Sequence, residues 1–277
     1  MKKIIIITDL DGTLLDPGSY SFDAALPALA LIKERHIPLA VCSSKTRIEI
    51  EHYRGKLENS HPFISENGGA VFIPEGYFPR EAQPPIPRED VGGGYRIIRL
   101  GAMYRDLRRA VFELRDDGFH IRGFGDMTVE EIAAVTGLNE HEAAMAKMRE
   151  FDEPFIFRGG PEDHEKLANA VKGKGFNVTR GIFHHIIGDS DKGKAVEILI
   201  GMYRREYGKV STVAIGDSHN DLPMLRRVDL PVIVEKSGGG YDPCFDGEAF
   251  ERSEGVGPRG WNRAVIKLLS QKYPITR

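Results

Sequence analysis

Apolar residues recur along the chain in two alternating patterns, short runs rich in β-branched residues and longer segments with helical spacing. Residues 3–8 form a run rich in isoleucine, and residues 23–35 follow with apolar residues three or four positions apart. The same sequence of patterns repeats, because the apolar run at 38–42 is followed by a helical segment at 48–57. Alternating strands and helices of this kind predict an α/β fold with a doubly wound parallel sheet.

The middle of the chain interrupts this alternation. A proline-rich segment at 83–87 and three glycines at 92–94 introduce a stretch with different spacing. It contains four helical patterns and four strand candidates, at 103–116, 128–136, 139–150, 161–172, 95–100, 155–157, 176–179 and 183–187. The first alternation then returns, with strands at 212–215 and 231–234 on either side of a helix that extends through residue 227.

This organisation predicts an α+β domain inserted into the α/β domain. We expect residues 1–83 and 188–277 to form the α/β core and residues 84–187 to form the inserted domain. The segment 235–260 is rich in glycine, proline and charged residues, and we expect it to be an irregular loop.

Composition and charge exclude several classes of protein. The chain has 277 residues, of which 41% are hydrophobic and 29% charged, as is typical of a globular protein with a sizeable core. Its formal net charge of -3 argues against a nucleic-acid-binding protein. No apolar stretch approaches the roughly 20 residues that span a bilayer, and Cys42 and Cys244 lack the spacing of a zinc site or disulfide framework. We therefore expect a cytoplasmic protein that binds neither a membrane nor nucleic acid.

Two carboxylates follow the first predicted strand directly. Asp9 and Asp11 lie in the segment Asp9-Leu10-Asp11-Gly12-Thr13-Leu14, at the carboxyl end of a strand, where open α/β sheets bind ligands. Residues two positions apart on extended backbone point the same way, so both side chains can share one pocket. Such a pair alone could equally be part of a turn with a capping aspartate.

The segment that contains these aspartates resembles the first motif of the haloacid dehalogenase-like hydrolases. Three further positions agree with that family in the same order along the chain. Ser43 follows the second strand, Lys192 lies in Ser190-Asp191-Lys192-Gly193-Lys194, and Gly216-Asp217-Ser218-x-Asn220-Asp221 resembles the acidic fourth motif. The resemblance therefore covers nearly the whole chain, although Lys192 alone could be a solvated residue of a helix capped by its neighbours.

This resemblance implies a phosphatase that works through a covalent intermediate. Asp9 would attack phosphorus and form an aspartyl-phosphate, and Asp11 would serve as general acid and then as general base. Ser43 would bind a phosphoryl oxygen, and Lys192 would offset the negative charge of the phosphoryl group and the nucleophile. Because a phosphate monoester carries about two negative charges, an attacking carboxylate needs neighbouring cations.

The resemblance also implies a magnesium site. Mg²⁺ prefers oxygen ligands, often one or two carboxylates together with a substrate phosphate oxygen. Asp9 and Asp217 would supply the carboxylates, Asp11 would add its backbone carbonyl, and Asp221 would support the ion or its ligands. Asn220 would lie beside this site and contact the substrate.

Four segments resemble the mannosyl-3-phosphoglycerate phosphatase family in particular. They are Ser43-Ser44-Lys45-Thr46-Arg47, Ser65-Glu66-Asn67-Gly68-Gly69, Asp191-Lys192-Gly193-Lys194 and Pro258-Arg259-Gly260-Trp261-Asn262. The implied reaction is hydrolysis of mannosyl-3-phosphoglycerate to mannosylglycerate, a compatible solute, and phosphate. Phosphatases of glucosyl-3-phosphoglycerate, sucrose phosphate or other sugar phosphates stay open as alternatives, as do a phosphohexomutase and a non-catalytic phosphometabolite sensor.

Substrate binding is expected mainly next to the second strand and at the entrance to the inserted domain. The candidate residues are Ser44, Lys45, Thr46, Glu66, Asn67, Gly68, Arg158 and Asn220. Arg180, His184 and His185 are further candidates for the substrate carboxylate, but the two histidines are adjacent on a predicted strand and therefore face opposite sides. At most one of these two is expected to face the ligand.

Overall fold

Two β-sheets organise the part of the chain that the computed structural model describes, residues 3–79, 82 and 89–271. The thirteen strands, in chain order, are β1 Lys3–Thr8, β2 Leu39–Cys42, β3 Phe63–Ser65, β4 Ala70–Pro74, β5 Glu89–Gly92, β6 Tyr95–Arg99, β7 Ile121–Gly123, β8 Asp152–Phe157, β9 Asn177–Arg180, β10 His184–Ile187, β11 Val210–Gly216, β12 Leu230–Glu235 and β13 Glu251–Val256. The large sheet has the order β13-β12-β11-β1-β2-β3-β4-β6-β5, and the small sheet has the order β7-β8-β10-β9.

Nine α-helices connect these strands within the described residues. They are α1 Leu26–Glu34, α2 Arg47–Lys56, α3 Tyr104–Asp116, α4 Val129–Thr136, α5 Glu140–Ala146, α6 Pro161–Gly173, α7 Lys192–Tyr207, α8 Leu222–Leu225 and α9 Pro258–Gln271. The strands from β13 to β3 pair in parallel, which confirms the predicted parallel α/β sheet. No helix in the described parts of the chain is long and apolar enough to cross a membrane.

The central strand β1 shows why the sequence forms a layered core. Ile4 and Ile6 pack into a cluster on one face of the large sheet, whereas Ile5 and Ile7 pack into a cluster on the other face. Successive side chains of a strand point to opposite faces, so a continuous apolar run is buried on both sides. Burial of each such side chain stabilises the folded protein by about 1.5–3 kcal/mol. The strand therefore gives the residues that follow it a fixed position.

Residues 101–187, which we call the inserted unit, contain the small sheet. Its strands pair antiparallel, and helices α3 and α6 cover one face with a core that includes Leu107, Val111 and Phe155. The four helices of this unit agree with the helical spacing in the sequence. The predicted helix at 139–150 is shorter, since α5 ends at Ala146.

Two further segments differ from the sequence prediction. The strand at 95–100, assigned to the inserted domain, is β6 and pairs with β4 of the large sheet, where Ile98 joins the core. The segment 235–260, expected to be a loop, contains β13 and the start of α9. β13 is polar because it is an edge strand, and of its residues only Ser253 is buried. The proline-rich segment 83–87 lies outside the described residues.

Candidate active site

The carboxyl ends of two neighbouring parallel strands bring the predicted catalytic residues together. In the pairing of β1 with β11, Thr8 lies opposite Ile215, so that Asp9 and the loop after Gly216 leave the sheet side by side. Lys192 is the first residue of α7, which Asp191 caps by accepting a hydrogen bond from the backbone N–H of Lys194. Residues from three distant parts of the sequence therefore lie together at one edge of the sheet.

Lys192 connects two of the aspartates. Its Nζ lies 2.6 Å from Oδ1 of Asp9 and 2.6 Å from Oδ1 of Asp221, and its side chain is fully buried. Burial alone would lower the pKa of Lys192, but the carboxylates of Asp221 and Asp9 outweigh it and raise the pKa above its ordinary value. Lys192 is therefore held as a cation beside the predicted nucleophile.

Asp9, Asp217 and Asp221 form a buried acidic triad. One ligand atom from each residue lies within 4.8 Å of the others. Burial raises the pKa of Asp9, and the carboxylate of Asp221 adds to this, although Lys192 opposes it. Burial and Asp221 also raise the pKa of Asp217, against the effect of Lys236. Grouped carboxylate oxygens in such a site fit a hard divalent cation, which would relieve their repulsion.

The three carboxylates are not equally available to a cation. Asp221 uses Oδ1 for Lys192, and its Oδ2 accepts hydrogen bonds from the backbone N–H groups of Asp217 and Ser218 at 3.0 and 3.1 Å. Asp217 accepts hydrogen bonds from the Thr13 hydroxyl at 2.9 Å and from Lys236 at 3.0 Å. Asp221 is completely buried, whereas Asp9 and Asp217 keep 4% and 5% of their surface exposed. Asp221 therefore organises the loop and the lysine.

Gly12 is required where the first loop meets the fourth motif. Its φ is +76°, and a Cβ atom there would lie 2.9 Å from Oδ2 of Asp217. Any larger residue would strain the backbone and displace the carboxylate. This close approach explains the glycine that follows the two aspartates of the first loop.

Asp11 lies apart from the triad and is paired with a different cation. Its Oδ1 lies 3.1 Å from Nζ of Lys45, which also lies 3.3 Å from Oε1 of Glu49. The rings of Tyr20 and Tyr53 flank this ammonium group, with centroids 5.1 and 5.5 Å away. The side chain of Asp11 thus faces a cavity next to Asp9 without joining the triad.

The cavity above these residues has walls from both units. The core contributes Asp9, Asp11 and Lys45, and the inserted unit contributes residues that include Phe124, Leu138, Arg149, Phe183 and His185. Arg149 is buried and fixed, because its guanidinium donates to the carbonyls of Ser44 at 2.7 Å and Ala146 at 2.9 Å. The cavity therefore combines buried cations with apolar surface.

Among the residues predicted to bind substrate, Ser44, Lys45 and Asn220 line this cavity. Thr46 does not, because its side chain caps α2 and donates to the carbonyl of Met145 at 3.0 Å. Ser43 is fully buried next to Lys45, whose backbone N–H donates to the serine hydroxyl oxygen at 3.2 Å. The phosphoryl contact expected of Ser43 stays a prediction.

Glu66, predicted to bind substrate, does not line the cavity and is bonded to the backbone of the inserted unit. It is completely buried, and its carboxylate accepts hydrogen bonds from the backbone N–H groups of Glu150 and Phe151 at 2.8–3.1 Å. Burial raises the pKa of Glu66 to about 8, although Arg149 lowers it. Glu66 thus holds the backbone of residues 150 and 151 in the inserted unit against the core.

Two further predicted contacts also lie away from the cavity. A Cβ atom on Gly68 would lie 2.1 Å from the backbone oxygen of Asp191, so this glycine permits close packing against the start of α7. Arg158 is exposed at the end of β8 that is distant from Asp152, and the structure does not bring it to the site. Asn67 is buried between the two units, where its amide donates a hydrogen bond to Asp152 and accepts one from Asn220.

Sequence reasoning missed three residues of the site, Tyr20, Arg149 and Lys236. Lys236 follows β12 directly, so its position at the carboxyl edge of the sheet was a usable signal. Arg149 and Tyr20 lie in segments without a motif, and only the packing of the inserted unit brings Arg149 to the cavity. Of the adjacent histidines, His185 lines the cavity, whereas His184 stacks on Phe155.

Comparison with known proteins adds evidence from sequence. The family model described as haloacid dehalogenase-like hydrolase matches residues 6–93 and 144–238. A glucosyl-3-phosphoglycerate/mannosyl-3-phosphoglycerate phosphatase of Methanococcoides burtonii is 46% identical over 99% of this chain and 100% of its own. A protein of the same name from Persephonella marina is 41% identical over 97% of this chain and 98% of its own. A mannosyl-3-phosphoglycerate phosphatase of Pyrococcus furiosus is 39% identical over 83% of this chain and 90% of its own.

Solved structures resemble the fold at low sequence identity. A haloacid dehalogenase-like hydrolase of B. subtilis matches with a TM-score of 0.67 and 14% identity, over 98% of this chain and 99% of its own. The sucrose-phosphatase of Synechocystis sp. PCC6803, solved with sucrose and phosphate, matches with a TM-score of 0.62 and 15% identity, over 98% of both chains. These likenesses concern the fold alone.

Proposed function

Since this chain belongs to the haloacid dehalogenase-like hydrolases and is a phosphatase, we propose that it hydrolyses the phosphate ester of mannosyl-3-phosphoglycerate and of glucosyl-3-phosphoglycerate. Two relatives that match nearly end to end carry both substrates in their names. The two compounds differ in the orientation of one hydroxyl group. One pocket that binds the glycerate and the phosphate is therefore sufficient for both.

The catalytic part of this proposal rests on the contact of Lys192 with both Asp9 and Asp221, beside Asp217. Asp9 attacks phosphorus, an Asp9–phosphorus bond forms, and the bond from phosphorus to the glycerate oxygen breaks. Asp11 gives its proton to that leaving oxygen. In the second step, Asp11 removes a proton from a water molecule, which attacks phosphorus and releases Asp9 and inorganic phosphate.

The remaining residues of the site bind and orient the phosphoryl group. Ser43 donates a hydrogen bond to a phosphoryl oxygen, and Lys192 offsets the charge that Asp9 shares with that group. The triad fits a divalent cation, and we propose Mg²⁺, held by Asp9, Asp217 and the backbone carbonyl of Asp11, with Asp221 in support. When bound, Mg²⁺ supplies charge neutralisation for the transferred phosphoryl group.

The inserted unit, residues 101–187, acts in this proposal as a cap that covers the substrate. It supplies Arg149 together with apolar side chains such as Phe124 and Phe183, while Lys45 comes from the core. The substrate carries a carboxylate and a sugar. The buried cations suit the carboxylate, and aromatic and hydrogen-bonding groups suit the sugar.

The test is release of inorganic phosphate in the presence of Mg²⁺. Mannosyl-3-phosphoglycerate and glucosyl-3-phosphoglycerate are compared with sucrose-6-phosphate, mannose-6-phosphate and 3-phosphoglycerate. We expect the two glycosyl compounds to have the highest kcat/KM, and we expect chelation with EDTA to abolish turnover until Mg²⁺ is restored. Highest kcat/KM for another ester would overturn the substrate assignment, and isomerisation without phosphate release would indicate a mutase.

A further inference from the structure

Four buried side chains form a continuous hydrogen-bonded chain from the active-site loop to the wall of the cavity. Asn220 Nδ2 donates to Asn67 Oδ1 at 3.0 Å, and Asn67 Nδ2 donates to Asp152 Oδ2 at 2.7 Å. Asp152 Oδ1 lies 2.8 Å from His185 Nδ1. The chain begins one residue before Asp221 and crosses from the core into the inserted unit.

The direction of these hydrogen bonds determines which ring nitrogen of His185 carries a hydrogen. The Asp152 carboxylate can only accept hydrogen bonds in this arrangement, so Nδ1 of His185 carries the hydrogen that it donates. The hydrogen bond to Asp152 is the only one made by the His185 ring within the described parts of the chain. The other ring nitrogen, Nε2, is therefore left as a hydrogen-bond acceptor in the neutral ring.

His185 belongs to the wall of the cavity in which the substrate is proposed to bind. His185 lies on β10 and lines the same cavity as Asp9, Asp11 and Asn220. At the other end of the chain, Asn220 Oδ1 is buried and has no hydrogen-bond partner among the described residues. An uncharged imidazole acceptor attracts a hydroxyl group and not a carboxylate or phosphate, whereas Lys45 and Arg149 provide the cationic part of the cavity.

From this arrangement we infer that His185 is a specificity-determining residue whose Nε2 accepts a hydrogen bond from a sugar hydroxyl of the substrate. The inference deepens the proposed function and rests on it for the presence of a sugar. Asp152 is a positioning residue, since it sets the orientation and the protonated nitrogen of the ring. Asn67 of the core donates a hydrogen bond to Asp152 of the inserted unit. The orientation of the His185 ring therefore depends on the packing of the two units.

The test replaces the ring by the amide that preserves its bond to Asp152. In His185→Asn the amide nitrogen takes the place of Nδ1, whereas the Nε2 atom is lost. We expect kcat/KM for the glycosyl-3-phosphoglycerates to fall about three- to tenfold, the usual effect of one uncharged hydrogen bond. We expect kcat/KM for p-nitrophenyl phosphate, which has no sugar, to change less than twofold.

Two further variants separate this role from a structural one. His184→Asn is the matched control, since His184 precedes His185 on β10 but stacks on Phe155 and His164 outside the cavity lining, and we expect no change of selectivity. Asp152→Ala removes the carboxylate that accepts the Nδ1 hydrogen, so we expect the same selective loss as in His185→Asn. An equal loss for sugar esters and p-nitrophenyl phosphate, or no loss for either, would overturn the inference.

Failure of the proposed function gives a different result. In that case the wild-type protein hydrolyses p-nitrophenyl phosphate but neither glycosyl-3-phosphoglycerate. The comparison of variants is then made with the best sugar phosphate among the substrates tested. A loss confined to that sugar ester still supports the role of His185, and a loss shared with p-nitrophenyl phosphate contradicts it.

Discussion

The two walls of the cavity differ in how their polar groups are held. On the core side, Asp9 faces the cavity and belongs to a crowded triad with Asp217 and Asp221, which lysines balance. On the side of the inserted unit, Arg149, His185 and mainly apolar side chains of the described residues face the same space. In the proposed mechanism, the charged residues act on the phosphoryl group that all phosphate esters share, and selection among esters depends mainly on the other wall. Substitutions on the two walls should therefore have different signatures.

The largest effect is expected for the nucleophile. Asp9→Asn removes the attacking oxygen while it keeps the size of the side chain, and we expect kcat to fall by about 10⁴-fold or more for every ester. Stopped assays of phosphate release measure it, with Asp117→Asn, an exposed residue on the outer surface of the inserted unit, as the matched control. Activity of Asp9→Asn within tenfold of the wild type would refute its role as nucleophile.

A smaller and substrate-dependent effect is expected for Asp11. Asp11→Asn should lower kcat for the glycosyl esters by about 10²–10⁴-fold, the usual contribution of general acid–base catalysis. The loss should be smaller for formation of the intermediate from p-nitrophenyl phosphate, because nitrophenolate leaves without a proton. Rapid-quench measurement of nitrophenol release in the first turnover tests this. An equal loss of the first step for both esters would argue against Asp11 as the proton donor.

Glu66 should affect stability in a manner that depends on pH. In the folded protein its pKa is about 8, against an ordinary value of 4.5, so folding favours its protonated form. Its contribution to the free energy of unfolding is fully present below about pH 4.5 and is lost as pH rises through 8. We therefore expect the wild type to lose a few kcal/mol relative to Glu66→Gln between pH 5 and pH 8.

Urea unfolding of both proteins at the two pH values measures this change. The difference between wild type and Glu66→Gln cancels titrations that the two proteins share. A difference that stays the same at pH 5 and pH 8 would show that Glu66 titrates normally in the folded protein.

The smallest effect is expected for Arg158, which is exposed and distant from the cavity. Arg158→Ala should change kcat/KM for the glycosyl esters less than twofold, whereas Arg149→Ala should raise KM at least tenfold, because a buried cation is lost from the cavity wall. Steady-state kinetics of the pair distinguish them. A marked rise of KM in Arg158→Ala would place this arginine at the substrate and contradict the geometry of β8.

The difference between these two arginines shows how far the sequence alone leads. Asp9 and Asp217 could be located because each follows an apolar run, and the ends of parallel strands meet at one edge of the sheet. Arg149 and the hydrogen bonds of Glu66 depend on how the inserted unit packs on the core, and no local spacing reports that packing. For the same reason the sequence places the strand at 95–100 in the inserted domain, whereas β6 pairs with β4 of the large sheet, since a strand pattern does not specify its partner.

The covalent intermediate on Asp9 is the claim on which the proposed function depends most. Rapid quenching of the enzyme with mannosyl-3-phosphoglycerate and Mg²⁺, followed by mass spectrometry of its peptides, tests this claim. We predict one added phosphoryl group on the peptide that contains Asp9, present in the wild type and absent in Asp9→Asn. Phosphate release by an enzyme that never carries a phosphoryl group on this peptide would contradict the mechanism.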